Sequence, residues 1–255
     1  MASSFLTTPD WPVADNVRAA CSGRDGGVSR APYDTLNLGD HVGDDPAAVA
    51  ENRRRFAEAL QARPVFLKQV HGRGVVTLAR DTPDGTEADA CWTTERGVAC
   101  TMMVADCLPV LLADRRGRAV GAAHCGWRGL AGSAGAGVLE ALWSNMREVV
   151  GDAADVLAWL GPCIGPEAFE VGPEVRAAFL EGDAAAAALF RPHGQGKFLA
   201  DLPGLARRRL AALGISAVHG NDGSQPWCTV SNRSSFFSHR RDRVSGRFAA
   251  AIWLA

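Results

Sequence analysis

No stretch of this chain approaches the ~20 consecutive apolar residues that a membrane-spanning helix needs, so no membrane segment is expected. Met1–Asp10 lacks the basic start and long apolar run of a secretion signal. Basic charge is not in excess either: 27 Lys and Arg face 28 Asp and Glu, which argues against a nucleic-acid partner. The clusters Arg53–Arg55 and Arg207–Arg209 fall in amphipathic helical patterns and read as solvated faces. Low-complexity linkers and internal repeats are missing. So is any C-x₂-C pair, and with it the usual frame of a structural zinc site. Seven cysteines, an odd number without a secretion signal, point to reduced thiols in a cytoplasm.

Apolar mass, by contrast, is plentiful. Hydrophobic residues fill 47% of 255 positions, enough for one sizeable core, and residues 1–255 read as a single domain. Asp45-Pro46 reads as an N-cap followed by proline at the first helical position, opening a helix to about Ala62. Short apolar runs of strand length include Val17–Cys21, Val65–His71, Val75–Ala79, Val98–Val104, Val110–Ala113, Ala119–His124, Val156–Leu160 and Gly246–Leu254. Gly72 and Gly74 bracket one residue between the second and third of these, which suits a tight hairpin. Helices are expected over Leu130–Val150, Pro173–Glu181 and Leu202–Leu213. Strands and helices are interspersed without a strict βαβ rhythm. The expected fold is therefore a single α+β domain with a mixed β-sheet core flanked by helices.

Three residues stand out against this background. KQVHG carries His71, ADCLPVLL carries Cys107 and AAHCGWRGL carries His124, each at the end of a buried apolar run. Two imidazoles and a thiolate suit Zn²⁺ with a fourth position left open, the arrangement of a catalytic rather than a structural site. The three lie 36 and 17 residues apart, so only the fold can bring them together. Each run breaks at glycine or proline, where chains turn and present side chains to a cleft.

These segments resemble one family along most of the chain. The matching blocks include GRDGGVSRAPYDTLNLGDHVGDDPAAVAENR at 23–53, FLKQVHG at 66–72, EADACWT at 87–93 and VADCLPVLL at 104–112. They continue with GAAHCGWRGLAGSAG at 121–135, GPCIGPEAFEVGPEV at 161–175, NRSSFFSHRRD at 232–242 and GRFAAAIWL at 246–254. By them the chain is identified as a member of the YfiH-like laccase-domain family. That family is also called the multicopper polyphenol oxidase or purine nucleoside phosphorylase family, and it has peptidoglycan-editing relatives. The resemblance implies that His71, Cys107 and His124 are zinc ligands and mark the active site, with copper as the alternative metal. It also implies phosphorolysis of adenosine, inosine, guanosine or methylthioadenosine, with adenosine deamination as a second activity. The partners are then a purine nucleoside and phosphate, neither nucleic acid nor membrane, and the protein is expected to be a cytoplasmic monomer.

Phosphate calls for cationic groups. Arg24 in GRDGGVS and Arg128 in CGWRG stand beside glycines, where a small anion can approach the backbone. Lys68 and Gln69 adjoin His71, and Arg241 in SHRRD is a further anion-binding candidate. Each of the three arginines is equally able to form a structural ion pair. Trp127 reads as a stacking platform or as core, Asp106 as outer support of a ligand or as a catalytic group, and His41 and His239 as bases or loop histidines. His193 and His219 have no supporting context.

Two other chemistries use the same residues. A cysteine hydrolase would take Cys107 as nucleophile with His124 or His71 as base, acting for instance on peptidoglycan precursors. A multicopper oxidase needs many imidazoles, and the chain has six histidines with two already committed.

Overall fold

A computed structural model describes residues 5–133 and 135–255. Met1–Ser4, within the segment read for a secretion signal, and Ala134, inside the helix expected over 130–150, lie outside the described residues. The strands in chain order are β1 (Leu6–Thr7), β2 (Val17–Ser22), β3 (Arg63–Phe66), β4 (Val75–Thr77), β5 (Ala90–Thr93), β6 (Val98–Val104) and β7 (Leu108–Asp114). They continue as β8 (Val120–Cys125), β9 (Val156–Leu160), β10 (Glu170–Val171), β11 (Phe190–His193), β12 (Lys197–Ala200), β13 (Ala217–Gly220) and β14 (Phe248–Leu254). The α-helices are α1 (Pro46–Leu60), α2 (Trp127–Ala131), α3 (Val138–Val150), α4 (Pro173–Leu180), α5 (Leu202–Ala212) and α6 (His239–Asp242).

Two large sheets lie back to back. One runs β1-β2-β14-β6-β3 and the other β13-β9-β7-β8-β5-β4, with a small sheet β10-β12-β11 beside them. Both large sheets are mixed, since β3–β6, β4–β5 and β9–β13 pair in parallel and their other pairs are antiparallel. Strand alternation divides the apolar residues between two faces. Cys100, Met102 and Val104 of β6 and Ile252 of β14 meet Leu111 and Ala113 of β7 and Trp159 of β9 between the sheets. On the outer face, Ala99, Met103 and Ala251 lie under Phe56 and Leu60 of α1. Leu108, Val110 and Leu112 lie under Leu139, Leu142 and Met146 of α3 on the other side. The layers run helix, sheet, sheet, helix.

The α+β class holds, but the core is divided over two sheets instead of built on one. A strand buried on both faces reads as a continuous apolar run, so its alternation gives no sign of which sheet it joins. The expected hairpin across Gly72–Gly74 does not form, because β3 belongs to one sheet and β4 to the other. Residues 67–74 instead cross between the sheets, and His71 occupies that crossing with a left-handed backbone, φ 60°. The helix over 46–60 forms as expected: Asp45 accepts a hydrogen bond from Ala47 N at 2.9 Å and Pro46 takes the first turn. The single helix expected over 130–150 is broken into α2 and α3. Gly132 and Gly135, with φ of 65° and 77°, turn the chain, and Glu140 caps the new start by accepting from Gly137 N. Among the described residues, no helix is long and apolar enough to cross a membrane.

Candidate active site

Cys107 directly precedes β7, at the end of a turn that Asp106 makes with φ 89°. That turn is clamped from both sides. Asp106 accepts from Thr229 Oγ1 and from Arg240 N, each at 2.6 Å, while its carbonyl accepts from Ile164 N at 2.9 Å. Asp106 thus supports the chain next to Cys107 and spends both its oxygens doing so. His124 is the penultimate residue of β8, opposite Pro109 of β7. Its backbone N–H donates to the Asp89 carbonyl at 2.7 Å.

Asp89 is the organising residue that the sequence reading missed. It is fully buried, and its Oδ1 lies 2.9 Å from His124 Nδ1. The same carboxylate accepts from the backbone N–H groups of Val70 at 3.2 Å, His71 at 2.9 Å and Gly72 at 2.6 Å. One side chain therefore holds two of the three cluster members, the His124 ring directly and His71 through its backbone. With Nδ1 engaged, His124 presents Nε2 to the cluster, the usual role of a carboxylate behind a ligand imidazole. Gln69 completes the support by trading hydrogen bonds with Met103 of β6, Nε2 to O and N to Oε1, both at 2.9 Å. The signal for Asp89 in the sequence is a carboxylate set among apolar residues in ADAC, since a buried charge needs partners.

The ligand atoms of His71, Cys107 and His124 all lie within 4.8 Å of one another, so the cluster can hold a metal ion. Cys107 Sγ is 3.7 Å from His71 Nε2, and the two imidazoles meet edge to face with centroids 4.7 Å apart. Tetrahedral bonds of about 2.0–2.3 Å put neighbouring ligand atoms about 3.3–3.8 Å apart, close to this spacing. His124 is buried, Cys107 half-buried and His71 exposed, which leaves one side of the cluster open. Gly126 makes room for it: a Cβ there would stand 2.7 Å from His71 Cδ2 and 3.2 Å from Cys107 Sγ. A Gly126→Ala protein is expected to hold metal about tenfold less tightly, in the range that disturbing a ligand's surroundings brings. Chelator competition measures this, and unchanged affinity would mean that the ring simply swings aside.

The charges within the cluster reinforce one another. Burial opposes ionisation of the Cys107 thiol, but the charge and hydrogen bonds of His124 and His71 outweigh it and bring the pKa down to about 6. Burial likewise opposes protonation of His124, yet Cys107 and Asp89 raise it to about 9. Burial also disfavours the Asp89 carboxylate, but the hydrogen bond and charge of His124 together with the Gly72 and Val70 N–H groups outweigh it, so its pKa is lowered. Metal-free protein thus carries a thiolate–imidazolium pair between about pH 6 and 9. The other six cysteines are buried, and burial pushes Cys21 up to about 12. Alkylation of metal-free protein by iodoacetamide should therefore be confined to Cys107. Its rate should rise with pH through about 6 and level off well below the ordinary thiol range. An inflection at the ordinary value would remove the ion pair from the account.

The cluster opens into a cleft of about 440 Å³. One wall is apolar, made by Met103, Ile164, Phe169, Leu202 and the Trp127 ring. Gln69 and Asp106 also line the cleft, as do the imidazoles of His41 and His239. His41 lies 3.5 Å from Asp40, but burial holds its pKa below the ordinary value. Of the cationic candidates, Arg128 lines the cleft, with its guanidinium 4.4 Å above the Trp127 ring. The structure places the others outside the lining. Arg24 pairs with Asp34 at 3.1 Å, Lys68 with Glu87 at 2.9 Å and Arg241 with Asp242 at 2.7 Å. In their place stand Arg240, Arg243 and Arg247. His193 lies on β11 beside Glu170 and His219 on β13, neither of them among the lining residues.

Residues 18–255 match the family described as multi-copper polyphenol oxidoreductase laccase. A Pseudomonas aeruginosa protein named purine nucleoside phosphorylase is 53% identical over 248 residues, covering 97% of each chain. The Escherichia coli protein named purine nucleoside phosphorylase YfiH is 49% identical over 253 residues, covering 98% of this chain and 99% of its own. Among solved structures, one from Neisseria meningitidis superposes with a TM-score of 0.90 at 44% identity, covering 98% of this chain and 99% of that one.

Proposed function

This chain belongs to the laccase-type family that includes the YfiH proteins, and on that footing we propose that it is a zinc-dependent purine nucleoside phosphorylase. Its substrates are adenosine, inosine, guanosine and methylthioadenosine, and adenosine deamination is a second activity. The protein works as a monomer in the cytoplasm. The observation that carries this reading is the placement of His71, Cys107 and His124 on an open cleft of nucleoside size.

Two imidazoles and a thiolate, with Asp89 fixing the His124 ring, are a donor set that fits zinc. When bound, such an ion supplies Lewis acidity, drawing electron density from a neighbouring substrate atom. The rest falls to the chain itself. The apolar wall of Ile164, Phe169 and Leu202 takes the flat purine and excludes water from one face. A phosphate oxygen forms the new bond to the ribose C1′, the C1′–N9 electron pair leaves with the base, and a proton arrives on the purine. His41 and His239 are the lining imidazoles free of the cluster and able to deliver that proton. Water in place of phosphate, adding at C6 with loss of ammonia, accounts for deamination of adenosine.

Chromatography of the products from adenosine, with and without phosphate, tests the reading on metal-quantified protein. Adenine and ribose 1-phosphate are expected only with phosphate present, and some inosine in both buffers. Failure to split any purine nucleoside despite bound metal would overturn it.

The lowered Cys107 pKa beside an imidazole favours a second reading, a cysteine hydrolase acting on peptidoglycan precursors. Polyphenol oxidation has less support. The same His₂Cys set can take copper, yet it is the one cluster of three metal-ligating side chains among the described residues, and a multicopper centre needs more donors.

A further inference from the structure

We propose that Arg240, Arg243 and Arg247, together with Arg128, form a subsite for a phosphoryl dianion in the cleft that opens on His71, Cys107 and His124. The proposal starts from an imbalance of charge. Several half-buried or buried arginines elsewhere in the structure are paired with a carboxylate: Arg53 with Asp40 at 3.2 Å, Arg209 with Glu140 at 2.8 Å and Arg241 with Asp242 at 2.7 Å. None of the four cleft arginines has a carboxylate within ion-pair distance among the described residues. The carboxylate in the lining is Asp106, and Thr229 and the Arg240 backbone already occupy both its oxygens.

The protein holds two of these guanidinium groups, those of Arg240 and Arg247, in place without saturating them. Arg240 donates to the Glu170 carbonyl at 3.0 Å and lies 5.7 Å from the Phe169 ring centroid. Arg247 donates to the carbonyls of Ser245 and Gly246 at 2.8 and 3.0 Å, in a half-buried position at the head of β14. Arg243 follows α6 with φ 63°, a left-handed backbone that reverses the chain between Arg240 and Arg247. A guanidinium carries five donors in a planar fork, so each of the first two keeps N–H groups free for a ligand. A half-buried cation without a counter-ion costs stability, and an arriving dianion relieves that cost while meeting several forks at once. The apolar wall alongside gives such an anion a neutral ring for a neighbour.

Two sources supply the same chemistry, inorganic phosphate and the phosphoryl group of a nucleotide. The subsite deepens the phosphorolysis reading and rests on it for the role of free phosphate, but anion binding is measured without turnover. Equilibrium dialysis of metal-loaded protein against inorganic phosphate and against adenosine 5′-monophosphate tests it. The proteins compared are wild type, Arg240→Met, Arg243→Met, Arg247→Met, the triple variant, Arg247→Lys, and Arg191→Met as a control outside the cleft. Metal stoichiometry and circular dichroism verify that each variant is folded with its cluster intact.

Each methionine in the cleft is expected to weaken binding by about 10-fold or more, the usual worth of a charge-assisted hydrogen bond. The triple variant should bind neither ligand measurably, Arg247→Lys should recover part of the loss, and Arg191→Met should bind as wild type. A larger arginine-dependent loss of nucleotide binding than of phosphate binding would assign the subsite to a phosphorylated substrate, and the reverse to the free anion. Wild-type binding by the triple variant, or an unchanged KM for phosphate in a variant that still splits adenosine, would overturn the subsite and leave the phosphorylase reading standing. Arginine-dependent binding by a protein that splits no nucleoside would keep the subsite and remove that reading.

Discussion

Cys107→Ala is expected to abolish metal binding at the cleft and to lower nucleoside turnover by more than about 100-fold, beyond what loss of a ligand's outer partner brings. The thiolate is one of three donors, and the two imidazoles left behind cannot close the same site. The fold should survive, because Cys107 precedes β7 and is half-buried at the edge of the core between the sheets. Metal content by mass spectrometry, activity and near-ultraviolet dichroism measured on one preparation make the check. Metal-free Cys107→Ala protein that still turns over nucleoside would sink the metal assignment. Cys107→His separates the two readings of this residue. An imidazole can replace the thiolate as a donor but not as a nucleophile, so bound metal with partial activity supports the ligand role. Bound metal with no activity above that of Cys107→Ala favours the hydrolase.

The second large effect belongs to a residue that touches no substrate. Asp89→Asn should weaken metal binding by about 10- to 100-fold and destabilise the protein by about 2–4 kcal/mol. In the structure Oδ1 serves His71 N and His124 Nδ1, while Oδ2 serves Val70 N and Gly72 N. An amide must turn its NH₂ towards one of these two sets, setting donor against donor in a buried position. The sign of the pH effect follows. Burial works against the Asp89 carboxylate, the hydrogen bonds from His124, Gly72 and Val70 with the His124 charge together prevail, and its pKa is lowered on folding. Its stabilising share is present above the ordinary carboxylate range and is lost as pH falls through the lower folded value. Wild-type protein should accordingly lose stability on acidification, and Asp89→Asn should lose less of it over the same interval. Thermal unfolding across pH 3–7 reads this out, and parallel curves would show that Asp89 titrates alike in the folded and unfolded chain.

Much of the fold was legible because its signals are local. Asp45 and Pro46 announce α1, and the apolar runs at 98–104 and 156–160 are strands. What is not local was lost. Nothing in Val65–Phe66 or Val75–Val76 says that the two segments join different sheets, since both are short and apolar. In the site, His71, Cys107 and His124 stood out by residue type and by resemblance. The cationic residues did not sort themselves, because burial and partners decide their roles. Arg240 and Arg241 are neighbours in SHRRD, yet one lines the cleft and the other pairs with Asp242. Arg247 did carry a signal: a charge at the head of the wholly apolar run FAAAIWL needs a reason to be there.

His71 sits on the crossing that leaves β3, whereas Cys107 precedes β7 and His124 lies within β8 of the other sheet. The cluster closes where that crossing meets the second sheet, beside the Asp89 carboxylate. In the sheet behind His71, β14 is seated between β2 and β6. An ion held by the cluster would therefore tie the crossing at residues 67–74 to β7 and β8. By mass action an ion at 100 times its dissociation constant would add about 2.7 kcal/mol to the folded state. A metal so placed would act as a rivet between the two sheets.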